Sequence, residues 1–251
     1  MRYTNQLHNS SRRNVLKNRS RKSIMTSFLW LGIIATILLM TVNFSKLDPS
    51  SFFIGFLVSL VRVLIAYIIA LILSVIFALL ISINEKVEAV MLPFFDVMQS
   101  FPSFALFPAM IAAIHSSEII IISVLTITII WPILLTIIGS IKNRREDLEE
   151  AATIFGAKGL NRLIHFTLPA LSPSIVTGSI VGWGEGWEFI IGAELLVHAN
   201  SGIGKYLGFL GSNNDDLLLA LGIFILMVLL FVINKLVWLP LLSLTTRYQS
   251  E

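Results

Sequence analysis

Six long apolar runs separated by short polar stretches organise the chain: about Ser27 to Phe44, Phe52 to Ile83, Phe94 to Ile114, Ile119 to Ile141, Ser174 to Val197 and Leu217 to Leu242. A helix needs about 20 mostly apolar residues to cross a bilayer, so each run is read as a membrane span. The second run is the longest and, as a helix, would extend about 48 Å, well beyond the hydrocarbon thickness. Its first part, Phe52 to Arg62, is therefore expected to lie along or above the outer surface. The true span then starts near Val63, and Arg62 places its guanidinium among the headgroups. Pro93, Pro102 and Pro108 predict a broken or kinked third span and Pro132 a kinked fourth, because proline donates no backbone hydrogen bond and crowds the preceding turn.

The polar stretches set the orientation. Residues 1–26 hold Arg2, Arg12, Arg13, Lys17, Arg19, Arg21 and Lys22 with no acidic residue, and read as a basic, disordered cytoplasmic tail. The run at 27–44 is too long for the apolar core of a signal peptide and lacks a small-residue cleavage site, so it is expected to remain as the first transmembrane helix. Inner segments then hold fourteen of the eighteen Lys and Arg: the seven of the tail, Lys86, five between Lys142 and Arg162, and Arg247. Lys46 and Lys205 fall in outer loops, and Arg62 and Lys235 inside apolar runs. The positive-inside rule thus places both termini and the segment 142–173 in the cytoplasm. Lys235 and Trp238, near the end of the sixth run, fit interfacial snorkelling and an aromatic belt.

Composition agrees with an all-α integral membrane protein: 56% of the 251 residues are hydrophobic and 13% charged. The basic residues lie between spans rather than in a patch, so no nucleic-acid partner is implied. Without cysteine there is neither a disulfide framework nor a thiolate metal site. His8, His115, His165 and His198 lack ligand spacing, and no metal or other cofactor is expected. No G-x-x-x-x-G-K-[ST] loop occurs, so the chain is expected not to be an enzyme and to draw any ATP-derived energy from a partner.

Glu150 to Pro169, EAATIFGAKGLNRLIHFTLP, is the most informative polar stretch. Glu146, Asp147, Glu149 and Glu150 favour a helix N-terminus, and Ala151, Ala152, Ile154 and Phe155 supply an apolar side. Gly156 and Gly159 bracket a turn, since glycine tolerates the positive φ that ends a helix. Leu160, Leu163, Ile164 and Leu168 recur at helical spacing in a second helix, which Pro169 and Pro173 are expected to stop before the fifth span.

Glu150, Ala151 and Ala152, then Gly156, then Leu168 and Pro169 at this spacing resemble the EAA loop of permease subunits of binding-protein-dependent ABC importers, with Phe166 where the family has an aliphatic residue. Ser59 to Tyr67 (SLVRVLIAY), Ser100 to Pro108 (SFPSFALFP) and Gly192 to Leu196 (GAELL) are similar to other parts of the family's nitrate, sulfonate and taurine branch. The resemblance implies a type I permease fold of six transmembrane helices with a transmembrane domain over 52–243. It implies Glu150, Ala151, Ala152, Gly156, Leu168 and Pro169 as the docking residues for a cytoplasmic ABC ATPase dimer. The further partners it implies are a second permease subunit, identical or not, an extracytoplasmic solute-binding protein and a small-molecule substrate, in a prokaryotic plasma membrane.

The fifth run carries Glu185, Glu188 and Glu194 in an otherwise hydrophobic helix, and intramembrane carboxylates require protein or water around them. At 100° per residue Gly178, Gly182, Glu185 and Gly192 share about 80° of arc with Glu188 beside them, while Trp183, Trp187 and Glu194 occupy the opposite side. Gly182, Glu185, Glu188 and Gly192 are therefore candidates for a translocation path between two subunits. The alternative is close helix packing, with the acids protonated or paired to Arg62 or backbone. Glu194, near the outer end, is read as interfacial. Two other functional classes are a secondary transporter using Glu185 and Glu188 as proton or cation sites and a membrane-embedded enzyme, although the sequence has neither an inverted hydropathy repeat nor a clustered nucleophile, metal or acid-base set.

Overall fold

The computed structural model describes residues 30, 32–34, 37, 47–81, 85–142, 156, 159–213 and 215–247. Of the first predicted span, Trp30, residues 32–34 and Ile37 are described and are helical. All the regular structure among the described residues is helical: α1 Pro49–Ile81, α2 Glu85–Gln99, a 3-10 turn Ser103–Leu106, α3 Phe107–Ala113, α4 Ser117–Lys142, α5 Leu168–Leu196, α6 Ile203–Ser212, α7 Asp216–Ile233 and α8 Leu239–Arg247. A helical turn Gly159–Arg162 and a π-helical stretch Leu163–Thr167 lead into α5, and a second π-helical stretch, Asn234–Trp238, joins α7 to α8. Four of these stretches are long and apolar enough to cross a membrane, or five if the bent α2–α3 pair is one broken span.

Helix α4 is the spine. Ile121, Val124, Leu125, Ile129, Ile133, Leu134 and Ile137 are fully buried, because both α1 and α5 pack along it. Its approach to α5 depends on small residues: a Cβ at Gly178 would lie 2.8 Å from Ile133 Cα and 2.9 Å from the Pro132 carbonyl, and one at Gly182 would lie 3.0 Å from the Ile129 carbonyl. Pro132 stands inside α4 at this crossing. On the other side Ser74 of α1 donates to the Ile130 carbonyl at 3.0 Å.

Several sequence expectations change. Phe52 to Arg62 does not leave α1 to lie on the surface: the helix is continuous for 33 residues, anchored by buried Phe52, Gly55, Phe56 and Ser59. Its first turns pack on α6, a helix where a loop holding Lys205 is expected from the sequence. Pro169 and Pro173 do not stop a helix before the fifth span. Pro169 sits in the first turn of α5, and the carbonyl freed by Pro173 is taken up by the Ser172 hydroxyl at 2.8 Å. The third span is broken as predicted, with α2 and the 3-10/α3 segment meeting at 83°. Trp238 is not in an interfacial belt. The π-helical stretch that holds it shifts the helical phase, and its ring packs edge-on against Tyr67 and Trp183.

Candidate functional site

Helix α5 has two faces with different work. Gly178, Gly182 and Gly186 turn to α4, and Trp183, Trp187 and Glu194 turn to α1. Tyr67 of α1 donates to Ser179 at 3.0 Å and stands edge-on to Trp183, and Phe56 stacks on Trp187 at 5.4 Å. The remaining strip, Val181, Gly184, Glu188 and Leu195, is uncovered, with Glu185 half-buried at its margin. Glu188 also lines a groove of about 490 Å³ between α5 and α7, together with Trp183, Gly184, Trp187, Met227 and Asn234.

The four residues predicted for a path are thus divided. Glu185 and Glu188 lie on or beside the uncovered strip, whereas Gly182 is buried against Ile129. Gly192 lies under Phe104, whose ring stacks on Phe189 at 3.9 Å and would meet a Cβ at 2.9 Å. The bend between α2 and α3 therefore rests on the C-terminal half of α5. Next to that bend Asp96, Gln99 and Ser100 are exposed, with Gln99 donating to Asp96 at 3.2 Å and Ser100 to the Asp96 carbonyl at 2.8 Å.

The third acid of the run has a different place. Glu194 is fully buried within the protein, and Arg62 is buried with it, its guanidinium turned to carboxylates rather than outward. Arg62 Nη1 donates to Glu194 at 2.7 Å and to the Ser201 carbonyl at 2.6 Å, while its Nε donates to Glu118 at 2.7 Å and its Nη2 forms a second, short bond to the same carboxylate. Glu194 further accepts from Ser59 at 2.6 Å and from the Gly204 N–H at 2.7 Å, and Ser59 accepts the Ile203 N–H at 2.8 Å. An unpaired charge at this depth would be costly, so four elements converge to pair it. Gly202, at φ 138°, passes directly over the Glu194 carboxylate, where any side chain would collide. Two segments far apart in sequence, Ser59 to Tyr67 and Gly192 to Leu196, meet in this cluster. Of the two readings of the acids in this run, pairing to Arg62 and backbone holds for Glu194, whereas Glu118 as the second partner of Arg62 had no signal in the spacing.

Ahead of α5, Gly156 and Gly159 take the positive φ expected of the turn, 69° and 55°. Gly156 is exposed, Leu168 half-buried and Pro169 exposed, while Glu150, Ala151 and Ala152 lie outside the described residues. Lys142 bonds Glu88 at 2.7 Å and ties the C-terminal end of α4 to α2. Among the described residues no group of His, Asp and Glu is placed to hold a metal ion.

A family model described as binding-protein-dependent transport system inner membrane component matches residues 70–239. A putative ABC transporter permease protein from Methanocaldococcus jannaschii is 30% identical over 148 residues, 59% of this chain and 55% of that protein. A nitrate import permease protein from Leptolyngbya laminosa is 30% identical over 165 residues, 65% of this chain and 59% of its own. A bicarbonate transport system permease protein from Synechococcus elongatus is 28% identical over 151 residues, 60% and 54% respectively. The chain spans little more than half the length of these curated relatives.

Proposed function

Because the chain belongs to the family of binding-protein-dependent transport system inner membrane components, we propose that it is the permease subunit of an ATP-driven ABC importer, passing a small solute handed over by an extracytoplasmic binding protein. It is a multi-pass protein of the prokaryotic plasma membrane. In this reading six helices cross the membrane with both termini inside, and a separate ATPase dimer docks on the loop around Gly156, Leu168 and Pro169, with Glu150, Ala151 and Ala152.

The observation that carries the reading is the uncovered strip of α5. Much of the surface of α1 and α7 is aliphatic and suits lipid, including Ile54, Leu64, Ile72, Leu217, Ile223 and Val232. The α5 strip instead carries Glu188 with Glu185 at its edge, close to a bend bearing Asp96, Gln99 and Ser100. Lipid cannot satisfy those groups, so the strip is assigned to a second permease subunit and to the water-filled path between the two. Gly192, under Phe104, and Gly182, against α4, then set how closely neighbouring segments approach the strip.

Reconstituted vesicles containing the permease, its ATPase and its binding protein test this. Uptake should require ATP and binding protein, and Glu188→Gln and Glu185→Gln should change uptake while the ATPase still co-purifies. ATP-independent uptake driven by a proton gradient would reject the importer. Full uptake by Glu185→Leu and Glu188→Leu would reject the strip as the path.

A further inference from the structure

The groove between α5 and α7 has unused polar groups in an apolar setting. Along α7, Ile223, Met227 and Leu230 form an apolar stripe at helical spacing that ends on Asn234, the first residue of the π-helical stretch. The α5 wall supplies Trp183, Trp187 and Glu188, and Gly184 leaves room between them, with nothing within 4 Å of where its Cβ would stand. A mostly apolar cavity of about 490 Å³ bordered by a few polar side chains has the make-up of a small-molecule site. Among the described residues nothing hydrogen-bonds or ion-pairs with the Glu188 carboxylate or the Asn234 carboxamide. The indole N–H groups of Trp183 and Trp187 are also buried without an acceptor, in side chains only 6% and 4% exposed. Buried donors left unmet are costly, so this wall is not finished as packing alone.

The charge of the groove has one sign. Neither α5 nor α7 contains Lys, Arg or His, and Glu185 stands one turn before Glu188. Arg62 is already held by Glu118 and Glu194. Lys235 follows Asn234 but lines a neighbouring cavity of about 210 Å³ with Ile180, Trp238 and Leu239. An anion entering the groove would meet carboxylates with no cation on the lining, whereas a cation gains from their field, which low-dielectric walls concentrate.

We propose that this groove binds the positively charged end of a small organic molecule, with Glu188 as counter-ion, Asn234 as a second hydrogen-bonding group and Trp183 and Trp187 as the wall beside its apolar part. That the molecule is the transported solute rests on the importer reading. The cation preference of the groove does not, and the two are tested separately.

The chain contains no cysteine, so a thiol placed at Met227, which is 44% exposed and lines the groove, reports that position alone. The full-length Met227→Cys variant, purified with its partner subunits in nanodiscs without solute or nucleotide, is treated with methanethiosulfonates of matched size that carry a trimethylammonium or a sulfonate group. Labelling of this chain is followed by mass spectrometry, and each rate is divided by that of the same reagent with a free thiol in solution. The cationic reagent should be preferred about tenfold, and adding Glu188→Gln should remove most of that preference. Benzamidinium should slow the labelling and benzoate, its anionic counterpart, should not. Gly184→Val, which fills the open space without a clash, should cancel the protection by benzamidinium. A preference for the sulfonate, a cation preference unchanged by Glu188→Gln, or protection by benzoate that Lys235→Gln removes would overturn the proposal. So would labelling that benzamidinium does not slow, or protection that survives Gly184→Val. Reaction with neither reagent would overturn it as well, since lipid or a second subunit would then cover the groove. None of these measurements uses ATP or uptake, so a failed importer reading in the vesicle assay leaves them standing, and their failure leaves the importer standing.

Discussion

Arg62 and Glu194 show what a charge inside an apolar run requires. Each is buried: Glu194 has Arg62 plus the neutral donors of Ser59 and the Gly204 N–H, and Arg62 has Glu194, the carboxylate of Glu118 and the Ser201 carbonyl. Arg62→Met strands Glu194 and is expected to cost about 3–5 kcal/mol, read as thermal or denaturant unfolding of the purified protein in detergent. The double variant Arg62→Met/Glu194→Leu should recover part of that loss, because no buried charge is left alone; a double variant as unstable as the single one would show that packing, not charge, is at stake. Asp48 works at the other extreme of exposure. It precedes α1 at Pro49 and accepts from the Ser50 N–H at 3.1 Å and from the hydroxyls of Ser50 and Ser51 at 2.6 and 2.5 Å. Those bonds lower its carboxyl from an ordinary 3.8 to about 2. Since the folded value is the lower one, its contribution is complete above the unfolded value and is lost as pH falls through about 2. Protection of the Ser50 to Phe52 amides should therefore hold between pH values of about 8 and 5, and Asp48→Ala should fray that turn at every pH while Asp48→Asn does not.

At the scale of elements, helix packing here depends on what is missing from α5. Lipid tails are as apolar as leucine, so two helices gain from association only where they fit closely, and glycines provide the fit. Gly178→Val should lower stability by about 1–3 kcal/mol, because its Cβ would meet the backbone of Ile133 and Pro132, which cannot rotate away. Gly184→Val, six residues on, has open space and should leave the stability of the isolated subunit nearly unchanged. Thermal unfolding of the two variants side by side checks the pair; equal losses would mean that helix propensity and not the α4 contact dominates. The same logic explains the prolines. Pro173 is tolerated inside α5 because Ser172 takes up the freed carbonyl, so a residue that reads as a helix stop becomes part of a helix.

At the scale of the whole molecule, orientation is carried by charges far from the core. A small epitope tag after Asn200 should be reached by antibody from outside intact spheroplasts, and a tag after Lys158 only after permeabilisation. The reverse labelling would reject the six-span topology with its coupling loop inside. If the tags behave as expected, the groups that Arg62 binds at the outer ends of α4 and α5 face the side from which a binding protein would approach.

Period, length and composition were enough to determine an all-helical membrane protein, the break in the third span and the glycine turn at Gly156 and Gly159, because each follows from local backbone chemistry or from the length of an apolar run. The spacing of Gly156, Leu168 and Pro169 after Glu150 to Ala152 pointed to the family that the match over 70–239 establishes. Only the tertiary structure decided where the lone charges go. Arg62 meets Glu118 and Glu194 across sequence separations of 56 and 132 residues, and no periodicity along one helix encodes a partner on another. It likewise decided which side of α5 is free. The helical wheel grouped Gly182 with Glu185, but the α4 contact takes the glycines and leaves the acids at the edge, since a packing face is defined by the neighbour that covers it.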